Sequence, residues 1–299
     1  MPSDRRPDPL VSPGLALVVA VLAISWAGPL VRLATAPALA VATWRLVFSM
    51  AFVAAILVAR GSVLRGVRLG ARDGFLALSS GILLAGHFWA WFASVRYTTI
   101  ASAVVLVSTH PFWIAALSAL FLGERPAPRE WLGIGVAILG TGVIGWGDFD
   151  LGGGALLGDG LALLAALLVS GYFTIGRRLR QKLDLWAYVA LVYGVAALVL
   201  LMSSAADPGV PLTGFPVQDW LLFLAMAAGP MMLGHTGVNY AIRYMPAYVA
   251  NLAILGEAVG AILIAWLLPG IREAPPLRTL LGGALVLAGI ALGTLGRRR

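Results

Sequence analysis

Glu257 falls about midway along an apolar run, 246 to 268, of a chain of 299 residues. An ionised carboxylate there costs about 2.5 kcal/mol or more, so such a residue ordinarily faces a cavity or a partner. Small residues surround it, Ala250, Ala253, Gly256, Gly260 and Ala261, and they let a neighbouring helix or a ligand approach the backbone closely. In that setting Glu257 can meet a substrate ammonium or take up a proton, because desolvation favours the neutral acid. The plainer reading is a hydrogen-bonded Glu that joins two helices.

Other polar and aromatic groups sit at comparable depth. The chain has three histidines, His87, His110 and His235, and all fall inside apolar runs. No His-x-x-x-His or Glu-x-x-His pair occurs, so a metal site is not expected and helix-to-helix hydrogen bonding competes with cavity lining. His235 and Asn239, four apart, share a helix face, as do His87 and Trp91. His110 precedes Pro111, which loosens the local helix in the way irregular backbone is tolerated beside a cavity. Of the ten tryptophans, Trp131, Trp146, Trp186, Trp220 and Trp266 lie near run ends as interfacial anchors. Trp26, Trp44, Trp89, Trp91 and Trp113 do not, and they offer an apolar pocket or ordinary packing. Arg45 can anchor a carboxylate or snorkel to the outer interface; the second reading is favoured from its place near the start of its run.

The elements that position these residues follow from composition. Sixty per cent of residues are hydrophobic and 11% charged, against about 25% charged in a soluble domain, and mean hydropathy is +0.93. The solvent for such a chain is lipid. Runs near 14–34, 38–59, 74–96, 100–122, 129–147, 155–177, 185–204, 219–242, 246–268 and 276–296 are each long enough to cross a hydrocarbon core about 30 Å thick as helix. Continuous apolarity argues against barrel strands, which alternate. The expected fold is therefore an all-α integral membrane protein of ten transmembrane helices.

A net charge of +8 does not point to nucleic acid once its placement is considered. If the N-terminus is cytoplasmic, Arg32, Arg45, Arg96, Arg272 and Arg278 lie toward the outside and every other Lys and Arg lies inside. That asymmetry is the positive-inside rule and places both termini in the cytoplasm. Arg5-Arg6, an apolar run and Ala38-Leu39-Ala40 mimic a signal peptide, but the run is too long for one. Cysteine is absent, which removes disulfides and thiolate chemistry. No G-x-x-x-x-G-K-[ST] or His-Glu-x-x-His motif occurs, so neither a nucleotide site nor a catalytic residue is expected, and no cofactor.

The chain also repeats itself. Ser94 to Leu106 aligns with Ala241 to Ala253, matching Arg96-Tyr97 with Arg243-Tyr244; farther on, Gly133 matches Gly282, Gly140 matches Gly289, and Ser25 to Arg32 matches Ser170 to Arg177 in spacing. Expected boundaries are a cytoplasmic segment 1–13, a first repeat 14–147, an outer linker 148–154, a second repeat 155–296 and a basic tail 297–299. Five spans per half invert the second repeat relative to the first, which places one site near the midplane with a gate from each half. Arg96, Tyr97, Arg243 and Tyr244 are the gate candidates; Gly28-Pro29, Gly229-Pro230 and Pro246 are bending points. Small-residue patterns, Gly133-x-x-x-Ala137 and Gly289-x-x-x-Gly293, hold the halves together or form a dimer surface.

Tyr97-Thr98-Thr99-Ile100-Ala101-Ser102-Ala103, Pro111-Phe112, Leu122-Gly123-Glu124-Arg125, Gly133 and Gly140, with Ile24-Ser25-Trp26 and Arg45, resemble the drug/metabolite transporter superfamily in its ten-helix EamA-type branch. The closest look is to bacterial amino-acid exporters that accept aromatic substrates, the YddG-like group. Two departures are Ala258 after Glu257, where many relatives place Pro, and Pro269-Gly270-Ile271-Arg272 in place of a second Leu-Gly-Glu. The resemblance implies a secondary transporter of the bacterial inner membrane that exports small amphipathic metabolites, foremost amino acids including aromatic ones, by alternating access. Its partners are then a small-molecule substrate and the lipid bilayer, with proton coupling open and no oligomer required. A multidrug or quaternary-cation exporter is the alternative; a channel or scaffold, or an intramembrane enzyme, is less favoured.

Overall fold

The computed structural model describes residues 9, 11–61, 69–145 and 153–294. Most of the segment 1–13 and of the expected linker 148–154, the tail 297–299 and Trp146 lie outside these residues. Among the described residues all regular structure is helical. Lipid requires this, since a helix satisfies its backbone polar groups internally. Eight helical stretches among the described residues are long and apolar enough to cross a membrane: Pro13–Leu33, Ala38–Ala59, Ala71–Tyr97, Ile100–Phe121, Gly153–Leu179, Leu185–Ala206, Val217–Ala241 and Ala247–Leu267. Two further 18-residue helices, Pro128–Gly145 and Leu277–Thr294, cover the two remaining expected runs.

Several stretches are broken within the membrane. The first divides into α1 (Pro13–Ile24) and α2 (Ala27–Leu33) at Ser25-Trp26, where Ser25 Oγ donates to the Val21 carbonyl at 2.8 Å. α3 (Ala38–Ala59) and α4 (Ala71–Tyr97) run unbroken. The fourth divides into α5 (Ile100–Val107) and α6 (His110–Phe121) at Ser108-Thr109. There Ser108 Oγ donates to Val104 O at 2.7 Å and Thr109 Oγ1 to Leu106 O at 2.9 Å, carbonyls that also accept the Ser108 and Thr109 backbone N–H groups, so both hydroxyls fold back onto the last turn of α5. α7 (Pro128–Gly145), α8 (Gly153–Leu179) and α9 (Leu185–Ala206) follow. The next stretch begins as α10 (Val217–Met226), widens into a π-helical segment Ala227–His235 around Gly229-Pro230, and ends as α11 (Thr236–Ala241). The wider turn accommodates Pro230, which has no N–H to donate. The following stretch divides into α12 (Ala247–Ile254) and α13 (Gly256–Leu267) at Leu255, before α14 (Leu277–Thr294).

Packing follows the repeat. α4 lies along α8, and α1 lies along the π-helical segment and α11, which are the counterpart contacts; α3 pairs with α9 and α7 with α14, which join equivalent helices. The α7–α14 seam is the tightest. A Cβ at Gly133 would sit 2.6 Å from the Gly289 carbonyl oxygen, and one at Gly140 would sit 2.5 Å from that of Gly282. The small-residue stripe therefore joins the two halves of one chain, deciding between the two roles that the pattern alone leaves open. Breaks at Ser108-Thr109 and Leu255 flank a common centre, where the buried side chains of α3, α4, α8 and the π-helical segment converge.

Candidate functional site

A cavity at this centre is lined by Ile24, Arg45, His87, Trp91, His110 and Glu257, together with Phe88, Phe173, His235 and others. Each break positions one of the polar groups: His110 opens α6 and Glu257 is the second residue of α13. The start of a helix carries partial positive charge, a setting in which discontinuous membrane helices meet anionic groups. The cavity measures about 40 Å³, room for a few waters, far below the about 300–1,000 Å³ of ordinary ligand pockets. Admitting a metabolite thus requires the lining helices to separate.

The polar lining is held from behind by aromatic rings and backbone carbonyls. His87 Nδ1 lies 2.9 Å from the Ala165 carbonyl, tying α4 to α8. His110 Nδ1 lies 2.9 Å from Val107 O, across the break. The His235 ring stacks on Phe173 with centroids 6.0 Å apart and meets Phe88 edge-on at 5.0 Å. Arg45 is 1% exposed, with its guanidinium carbon 4.2 Å from the Phe88 centroid and 5.5 Å from that of Phe92. Arg45 Nε and Nη2, Trp91 Nε1 and His235 Nδ1 are buried and unpartnered. Unsatisfied buried polar atoms are costly, so their gathering around one cavity marks it as a place built for something other than stability.

Arg45 corrects the snorkelling expectation: its side chain turns inward to the cavity instead of outward to the interface. Among the interior tryptophans only Trp91 lines the cavity. Trp26, Trp89 and Trp113 are 44%, 42% and 39% exposed, facing outward. Trp44 donates Nε1–H to Leu212 O at 2.9 Å and meets Trp220 edge-on, clamping the loop between α9 and α10. Asn239 is buried behind the cavity, where its amide donates to the hydroxyls of Tyr172 and Tyr193.

The residues singled out as gates sit in two hydrogen-bonded clusters at opposite ends of the bundle. At one end Arg96 Nη2 donates to Ala34 O and Ala36 O, both at 2.7 Å, while Asp219 accepts from Thr35 N, Thr35 Oγ1 and Ala36 N. Tyr97 beside it is exposed. At the other end Arg243 Nη1 donates to Leu183 O at 3.3 Å, and the Tyr244 ring packs on Tyr240. Burial, with neighbouring Arg243 adding to it, lowers the pKa of Arg180 to about 10, which leaves it charged at neutral pH; its Nε donates to Asn239 O.

Ion pairs also cross between the halves, at Glu124 of the Leu-Gly-Glu motif and at Arg32 and Arg177, residues matched in the repeat but not singled out as gates. Arg177 Nε donates to Glu124 Oε1 at 2.8 Å, and its Nη1 to the carbonyls of Ile242 and Arg243. At the far end the repeat counterpart of Arg177, Arg32, donates to Thr98 O at 2.7 Å and lies 3.8 Å from Glu273, whose Oε1 accepts the Ile100 amide. Glu273 takes the role of Glu124 in the second half. Its likeness was hidden because the left-handed position before it is Arg272 (φ 51°) where the first half has Gly123 (φ 69°).

A family model described as the EamA-like transporter family matches residues 12–146 and again 156–295. The chain belongs to the EamA-like transporter family. This EamA-like protein is 28% identical over 63% of its length to an uncharacterized transporter, YdfC, of Bacillus subtilis (strain 168), covering 60% of that protein. It is 28% identical over 76% of its length to the pseudopaline exporter CntI of Pseudomonas aeruginosa (strain UCBPP-PA14), covering 78% of it. A probable terminal-alkyne amino-acid exporter of Streptantibioticus cattleyicolor is 28% identical over 66% of each chain. One solved crystal structure superposes with a TM-score of 0.74 over 96% of this chain and 99% of the other at 21% identity, a likeness of fold. Family membership makes the EamA-like protein a multi-span membrane transporter and not an enzyme, and its bacterial kin place it in the inner membrane.

Proposed function

We propose that this transporter exports small amphipathic metabolites, foremost amino acids including aromatic ones, by alternating access. The observation that carries the reading is the cavity between the two halves, which combines Glu257 and Arg45 with the rings of Phe88, Trp91 and Phe173. An apolar pocket with few, well-placed polar groups is the usual site for a small organic ligand. The names of two relatives, an amino-acid exporter and a pseudopaline exporter, agree with an amphipathic, metabolite-sized substrate and with the YddG-like look of the sequence.

The proposed topology is ten spans, with α7 and α14 as the fifth and tenth, in two inverted repeats of 14–147 and 155–296. Both termini are cytoplasmic. The end bearing Arg177, Arg180, Lys182 and Arg243 then faces the cytoplasm, as the positive-inside rule requires. Bundles rock about the cavity, and Arg96, Tyr97, Arg243 and Tyr244 move with the closing ends. Glu257 binds a substrate ammonium or carries a proton. His87, His110, His235 and Trp91 complete the lining, with Asn239 behind it.

Thermal stabilisation of the purified protein by amino acids, set against lipophilic and quaternary cations, tests the substrate class. Stabilisation by amino acids supports the proposal; stabilisation by the cations alone replaces it with a multidrug exporter.

A further inference from the structure

Arg45 presents a particular edge of its guanidinium. Nε and Nη2 are the two buried nitrogens without a partner, and together they form the side of the group whose two N–H bonds run parallel. That fork matches the two oxygens of one carboxylate. The flat face of the group is meanwhile fixed against Phe88, so the fork is preorganised. Glu257 lines the same cavity, yet the ion pairs among the described residues lie elsewhere, at Arg32, Arg177 and Lys182. A guanidinium and a carboxyl group held apart in one apolar chamber are suited to a ligand that brings a carboxylate to the one and an ammonium to the other.

We infer that Arg45 is the carboxylate anchor of the transport site and that the cavity selects zwitterions, with the carboxylate on Arg45, the ammonium on Glu257 and the apolar side chain against Trp91 and Phe173. The inference rests on the metabolite-exporter reading and narrows its substrate class. It makes an unpaired, desolvated guanidinium intelligible, because a charge costly in the unliganded protein becomes a source of selectivity when the ligand supplies its partner.

The test is a competition series on the wild-type protein. Phenylalanine and leucine, their methyl esters and the amines left by removing the carboxyl group are compared by thermal stabilisation and by inhibition of labelled phenylalanine exchange. The amino acids are expected to act at concentrations at least tenfold lower than either analogue. Arg45→Gln erases that preference, and Arg45→Lys keeps part of it as a point charge without the fork. Should esters and amines match the amino acids in the wild type, Arg45 is not the anchor, while export of amphipathic cations still stands. If neither amino acids nor analogues act, the metabolite-exporter reading fails and the inference with it. The wild-type series is decisive by itself, so poor folding of either variant does not alter the outcome.

Discussion

Glu257 and Arg45 show what position along a helix does and does not reveal about one residue. A carboxylate amid apolar residues announces itself, since water is absent at that depth whichever way it points. An arginine that is the eighth residue of α3 is ambiguous, because its long stem reaches either the interface or the interior. Only the aromatic floor of Phe88 and Phe92, contributed by another helix, settles the direction. The tryptophans were ambiguous for the same reason: Trp89 and Trp91 share α4, two residues apart and on different faces, and only Trp91 meets the cavity. Glu257→Gln is predicted to reduce substrate exchange at least tenfold and to remove its response to a pH gradient, with the melting temperature close to wild type. Full activity with an unchanged pH response would exclude Glu257 from coupling.

At the scale of elements, the repeat foretold which helices correspond, but not that α5–α6 and α12–α13 break at matching places. Pro111 hinted at the first break; neither it nor the small residues around Glu257 indicates that the Ser108 and Thr109 hydroxyls fold back onto the last turn of α5. Two predictions belong here. Gly133→Leu or Gly289→Val drives a side chain into the backbone across the α7–α14 seam and should destabilise the protein by about 1–3 kcal/mol or more, read as a lower melting temperature in detergent. On the proposed mechanism Arg177–Glu124 and Arg32–Glu273 act as opposed latches, one per end. Since the chain has no cysteine, an Ile24→Cys probe in the cavity reports opening without background. Arg177→Gln should raise its labelling several-fold from the basic end, Glu273→Gln from the other end, and exchanging the charges of Arg177 and Glu124 should restore closure in part. Equal labelling in all variants would remove the latches from the mechanism.

The whole molecule is two similar halves that share one chamber, and it was legible in outline because lipid allows few architectures. Continuous apolar runs specify membrane helices, and the repeat specifies their duplication; neither gives the chamber, which depends on side chains brought together from both halves. Orientation is open to direct test. Thr213→Cys, in the loop before α10, should react with an impermeant maleimide in intact cells, and Arg125→Cys, in the loop after α6, only after permeabilisation; the reverse pattern would invert the proposed topology. The central claim is that the two closures alternate about a chamber that carries an amino acid. Counterflow of labelled phenylalanine into vesicles containing the purified transporter tests it most directly. Uptake that saturates, is stimulated by unlabelled amino acid inside and is lost in Glu257→Gln is the predicted result; uptake that ignores the internal amino acid, or that is the same in protein-free vesicles, would contradict it.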